Sequence, residues 1–109
     1  MDARVVQLSF TVGLALAVAA PGFAAEHVVT MAGSNYAPAR LAAKVGDTVR
    51  FVNDDQADHD VFVPTAGFGI DLGAQKPGDS RTMRLGKAGA FDVECVMHPH
   101  MVLKITVTP

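Results

Sequence analysis

The segment Glu94-Cys95-Val96-Met97-His98-Pro99-His100-Met101 gathers a thiol, two imidazoles and two thioethers into one short stretch. A soft thiolate joined by imidazole nitrogens and a weakly held thioether suits copper in a trigonal site with a long axial bond. Cys95, His98 and Met101 stand three residues apart. A compact loop leaving a strand end can therefore aim all three side chains at one point. Such a site needs a second imidazole from elsewhere, and His59, in Asp58-His59-Asp60-Val61 at the start of another strand, is the candidate. Four protein donors leave no open position for substrate or water, which a catalytic metal requires. The pattern therefore reads as an electron carrier and not an enzyme, and no Ser/His/Asp or paired-carboxylate arrangement stands out beside it.

Each residue alone has a plainer explanation. A single Cys at a strand end is commonly a small buried hydrophobe, a single His is commonly solvated or structural, and Met fills cores. A complete donor set is not expected from four such residues falling together by chance. His100 is expected to face solvent, because Pro99 restricts the loop and the neighbouring positions face inward. His27 is read as solvated, and Asp54, Asp55, Asp58 and Asp60 as a solvated acidic turn.

The rest of the chain bounds the possibilities. It has 109 residues, one cysteine, and nine basic against eleven acidic side chains for a net charge of −2. That is one domain with no basic cluster, which sets nucleic acid and anionic membrane surfaces aside as partners. One thiol excludes an internal disulfide, a Cys-rich zinc module and an iron–sulfur cluster. From Val5 to Ala20 the chain is almost wholly apolar and is followed by Pro21-Gly22, the pattern of a secretory signal peptide. Gly22 and Ala24 take the small-residue positions of a cut after Ala24. Residues 1–24 are thus expected to be a removable leader and 25–109 a single periplasmic domain, a monomer that keeps no membrane contact after processing.

That domain reads as all-β. Candidate strands run His27 to Met31, Arg40 to Lys44, Thr48 to Val52, Asp60 to Val63, Ser80 to Leu85, Phe91 to Cys95 and Val102 to Thr108. Seven short strands with no helical period suggest a sandwich. Leu103, Ile105 and Val107 share one face, and Phe91, Val93 and Cys95 likewise, which aims the thiol inward. Val45-Gly46-Asp47-Thr48 is a tight turn expected to close a hairpin, and the glycine-rich stretch from Thr65 to Gly73 fits either a short edge strand or a turn of helix.

Tyr36-Ala37-Pro38, the run Val45-Gly46-Asp47-Thr48-Val49-Arg50-Phe51-Val52-Asn53, His59, and Gly89-Ala90-Phe91-Asp92-Val93-Glu94-Cys95 with His98 and Met101 together resemble the small blue copper proteins. The match covers about Met31 to Val107, and the short C-x2-H-x2-M loop is similar to amicyanin, where plastocyanin and pseudoazurin carry C-x2-H-x4-M. The resemblance implies a cupredoxin sandwich of Greek-key type, with about seven or eight short strands and one type 1 copper ion, Cu(I)/Cu(II), held by His59, Cys95, His98 and Met101. It also implies single-electron exchange at the His98 edge, flanked by Met97, Pro99, Phe68 and Pro64. Its partners would be redox proteins such as a quinoprotein amine dehydrogenase and a c-type cytochrome.

Two departures carry expectations of their own. The family often has Asn where Asp60 stands, so half of the link between the two ligand loops is expected to be lost or moved to Asn53. Amicyanin has Pro where Met97 stands, and the gained N–H is expected to donate to the Cys95 sulfur and raise the reduction potential. Two rival readings are a periplasmic copper carrier or chaperone on the same fold, and a sandwich without metal in which Cys95 is inert.

Overall fold

The computed structural model describes residues 23–109. Nearly all of the expected leader, residues 1–22, lies outside the described residues. Nine strands follow in order: β1 (Glu26–Ala32), β2 (Asn35–Ala37), β3 (Arg40–Lys44), β4 (Thr48–Asn53), β5 (His59–Val63), β6 (Ile70–Gln75), β7 (Ser80–Arg84), β8 (Gly89–Cys95) and β9 (His98–Thr108). They form a four-stranded sheet in the order β2-β1-β4-β7 and a five-stranded sheet in the order β3-β9-β8-β5-β6. Among the described residues there is no helix.

Alternation drives the packing. Along β4 the burial alternates so that Val49, Phe51 and Asn53 point inward, and along β9 Met101, Leu103, Ile105 and Val107 do the same. The apolar halves of the two sheets meet as one core that includes Val29, Met31, Phe51, Val61, Val93 and Leu103, each fully buried. A fully buried side chain of this size stabilises the fold by roughly 1.5–3 kcal/mol relative to leaving it in water. The sandwich stands without a disulfide, since Cys95 is free and buried.

Two expectations need correction. The turn at Gly46 does not close a hairpin. β3 pairs in parallel with β9, whereas β4 pairs in parallel with β1 and antiparallel with β7, so the turn carries the chain from one sheet to the other. Positive φ at Gly46 (99°) serves this crossing as well as it would serve a hairpin. The stretch from Thr65 to Gly73 contributes to β6, an edge strand, and with the three-residue β2 the strand count reaches nine.

Phe68 does not flank the ligand loop. It stacks on Phe91, ring centroids 5.0 Å apart, and fills the space beside Gly89, where an added Cβ would stand 2.6 Å from the Phe68 ring. Phe91 lies four positions down β8 from Cys95, about 13 Å at strand rise.

Candidate metal centre

Three ligand-type side chains converge at one end of the sandwich. His59 opens β5, Cys95 closes β8 and His98 opens β9. Val61 pairs with Cys95, and Cys95 with His98, so the central strands of one sheet bring all three together. Cys95 Sγ lies 3.7 Å from His59 Nδ1 and 3.6 Å from His98 Nδ1, and the three donor atoms all fall within 4.8 Å of one another. His59 is fully buried, Cys95 is 2% exposed, and His98 is half-buried.

Met101 reaches the same place through an irregularity. Cys95 pairs with His98 but Glu94 pairs with Val102, so Pro99, His100 and Met101 have no counterpart on β8. Uninterrupted alternation would put positions 98, 100 and 102 on one face. An odd number of extra residues reverses the parity. His98, paired before the bulge, and Met101, its last unpaired residue, can therefore both face the interior, with Met101 buried beside the His59, Cys95 and His98 group. Pro99 and His100 are left exposed, as expected for His100.

The supporting contacts differ from expectation in instructive ways. The link between the two ligand loops is made by the main chain of Asp60: its N–H donates to Cys95 Sγ at 3.4 Å and its carbonyl accepts from Val96 N–H at 3.0 Å. The main chain at this position joins the loops, while the side chain adds nothing to the link: Asp60 Oδ1 is buried with no hydrogen-bond partner, as expected where a carboxylate stands in place of an amide that could donate. Among the described residues Met97 N–H is not a donor to the sulfur; the N–H that reaches it belongs to Asp60. Burial, reinforced by the Asp71 carboxylate, pushes the Asp60 carboxyl up to about 6, while the hydrogen bond from Asp60 holds Asp71 below its ordinary range.

Asn53 does support the site, from below. Its Nδ2 donates to Ala57 O (2.9 Å) and Gln75 O (3.0 Å), and its Oδ1 accepts from Asp55 N–H (3.0 Å), fixing the loop that leads to His59. Tyr36 ties the other sheet to the same end, its hydroxyl donating to Glu94 O at 2.8 Å. Burial raises the Tyr36 hydroxyl pKa above its ordinary value, so the group stays a donor.

Asp55 is the functional residue the sequence reading missed. Placed there in a solvated acidic turn, it instead meets His59 Nε2 at 3.0 Å with Oδ2 and accepts from Ser34 N–H at 2.8 Å. The Ser34 N–H, then His59, hold its carboxyl down at about 2. A carboxylate on the outer ring nitrogen fixes the imidazole tautomer and turns the lone pair of the inner nitrogen toward the donor cluster. The available signal was its spacing, four residues before His59. Asp54 and Asp58 remain exposed.

A buried thiol flanked by two inward ring nitrogens and a buried thioether is chemically a soft, mixed N/S donor set, which fits copper. The backbone supplies a donor to the sulfur and a carboxylate orients one ring, so the residues present match such an ion in type and placement.

No family model matches the chain. It is 32% identical over 101 residues to the methylamine utilization protein MauL of Methylorubrum extorquens, a match covering 89% of each chain. It is 31% identical over 90 residues to pseudoazurin of Paracoccus pantotrophus, covering 76% of this chain and 62% of that protein, a little under two thirds of its length. A solved structure of the Cu(I) form of an amicyanin variant superposes with a TM-score of 0.71 at 29% identity, covering 82% of this chain and 87% of that one.

Proposed function

Because the chain belongs to the small blue copper proteins, the cupredoxins, we propose that it is an electron-transfer protein with one type 1 copper ion held by His59 Nδ1, Cys95 Sγ, His98 Nδ1 and the Met101 thioether. The observation that carries this reading is the convergence of three donor atoms within 4.8 Å from three different strands. When bound, the metal supplies a one-electron couple. The chain's part is to present the four donors already gathered, so that little needs to move between oxidation states.

The two imidazoles have separate tasks. His59 is sealed from water and anchored on Asp55. His98 is half-buried, with Val96 and Met97 exposed beside it at 55% and 46%. An apolar rim around a partly exposed ring suits brief, small contacts with redox partners. The leader pattern supports export to the periplasm with cleavage before Ala25, and among the described residues no helix is long and apolar enough to cross a membrane. The likeness to MauL and amicyanin supports partners in amine oxidation, a quinoprotein amine dehydrogenase as donor and a c-type cytochrome as acceptor.

Adding Cu(II) to the purified protein is expected to give an intense blue thiolate-to-copper band that is lost in Cys95→Ser and lost or shifted in His59→Ala. A colourless copper-loaded protein, or an unchanged band in Cys95→Ser, overturns the reading. Reversible one-electron bleaching by a mild reductant is the accompanying expectation.

A further inference from the structure

The pole of the sandwich opposite the metal centre carries a second cluster for which electron transfer has no use. Asp47 precedes β4, whose other end is Asn53, about 20 Å away at strand rise. It is 5% exposed, and among the described residues its ion-pair partner is His27, with no Lys or Arg on the carboxylate. Oδ1 accepts from Ala25 N–H at 2.9 Å; Oδ2 accepts from Lys44 N–H at 3.0 Å and meets His27 Nε2 at 2.9 Å. His27 is thus engaged and not simply solvated as the sequence suggested.

The main chain around this carboxylate is tied down. Asp47 N–H donates to Lys44 O, Leu85 N–H donates to Asp47 O, and Thr48 N–H donates to Ala25 O. Ala25 is held at both its N–H and its C=O. Just ahead of it Phe23, a large apolar ring, is 89% exposed. Main-chain tethering therefore begins at Ala25, itself exposed, the residue that follows the small-residue pair Gly22 and Ala24.

We propose that Asp47 is a built socket for the α-ammonium of Ala25, formed when a processing peptidase hydrolyses the Ala24–Ala25 bond, so that removal of the leader switches on part of the stability of the fold. Water adds across the peptide bond: the carbonyl half leaves on Ala24 as a carboxylate, and the amine left on Ala25 takes up a proton. A neutral N–H is replaced by a cation at the same position, beside a carboxylate that its hydrogen bonds, Ala25's foremost, keep ionised down to about 2. Charge-assisted hydrogen bonds are about twice as strong as neutral ones, and a shielded carboxylate without a Lys or Arg partner gains most from one. The leader-bearing chain is thereby the less stable form. The inference does not rest on the copper reading.

The other titratable groups around the socket are His27 on the same carboxylate, Glu26, which meets Arg50 at 3.7 Å, and Lys44. The full chain is exported from a bacterial host beside a version with Gly-Ser inserted between Ala24 and Ala25, each with and without Asp47→Asn. The mass of the native product is expected to correspond to a start at Ala25; any other start overturns the proposal. In the metal-free form the native product is expected to unfold several degrees above the Gly-Ser product, with the difference abolished in Asp47→Asn. NMR titration of the Ala25 methyl is expected to place the α-amine at least about one unit, tenfold in proton affinity, above its ordinary range of about 7.7–8.0. Equal unfolding temperatures, or an α-amine titrating in the ordinary range, overturn it. Both of these readouts need only Asp47-containing chains, so they decide the matter even where Asp47→Asn fails to fold.

Discussion

Replacing Asp55 tests whether the buried imidazole is held by its outer partner. His59 is fully buried, its Nδ1 stands 3.7 Å from Cys95 Sγ, and its Nε2 stands 3.0 Å from Asp55 Oδ2. A neutral imidazole has one proton, and the carboxylate draws it to Nε2, which leaves the Nδ1 lone pair facing the donor cluster. In Asp55→Ala the tautomer is no longer fixed and the ring loses its anchor. Outer partners of metal-ligating histidines typically govern metal affinity by about 10–100-fold, and that is the expected loss. Asn keeps an acceptor oxygen without the charge, and a neutral hydrogen bond is about half as strong as a charge-assisted one. Asp55→Asn should therefore lose only about 3–10-fold, the square root of the alanine effect. Competition against a chromophoric Cu(I) chelator at neutral pH reads both affinities, and far-UV circular dichroism confirms that each variant is folded. A folded Asp55→Ala protein within about threefold of the native affinity would refute the reasoning, because an effect that small falls below the range for such a partner.

Other perturbations follow from the same contacts. Asn53→Ala removes three hydrogen bonds around a side chain that is 1% exposed. It should cost about 2–4 kcal/mol, or roughly 10–20 °C in thermal unfolding of the metal-free protein. Tyr36→Phe deletes the hydroxyl that donates to Glu94 O but keeps the edge contact with Phe51 at 6.0 Å. Chemical denaturation should show a loss of about 1 kcal/mol, against about 3–5 kcal/mol for Tyr36→Ala, which empties the ring's site. Asp47, held at about 2 in the fold against an ordinary value of 3.8, stabilises the protein fully above about pH 4 and loses that contribution as the pH falls through 2. Thermal unfolding followed across this window should fall less steeply in Asp47→Asn than in the native protein.

The donor set was legible in the sequence because its chemistry is scarce and its spacing local. One thiol, with an imidazole and a thioether at successive three-residue steps, has few other uses, and strand parity gave the inward aim of Cys95 directly. Asp55 and Asp47 were not read as engaged, since short acidic residues in turns are ordinarily solvated; Asp55 had a local sign in its four-residue spacing to His59, whereas nothing local ties Asp47 to Ala25 and His27, twenty or more positions away. The crossing at Gly46 was hidden for a related reason. A glycine turn signals that the chain reverses, but long-range pairing, such as Val45 N–H to Thr108 O at 2.9 Å, decides which sheet receives the next strand. β6 was legible only as a choice between an edge strand and a turn of helix, because its first residue, Ile70, is 39% exposed, so its pattern lacks the alternation of a half-buried strand. At Asp60 the missing side-chain link was legible from the residue type, since a carboxylate cannot donate, whereas the main-chain contacts that join the loops were not.

The bulge in β9 makes the length of the ligand loop a quantised variable. An odd number of unpaired residues lets His98 and Met101 face inward together while the rest of β9 keeps its apolar side on the core. One additional residue between them would set that agreement against itself: either the thioether turns outward or Leu103, Ile105 and Val107 do. Two additional residues restore it. The longer C-x2-H-x4-M spacing differs from the spacing here by that permitted step of two residues.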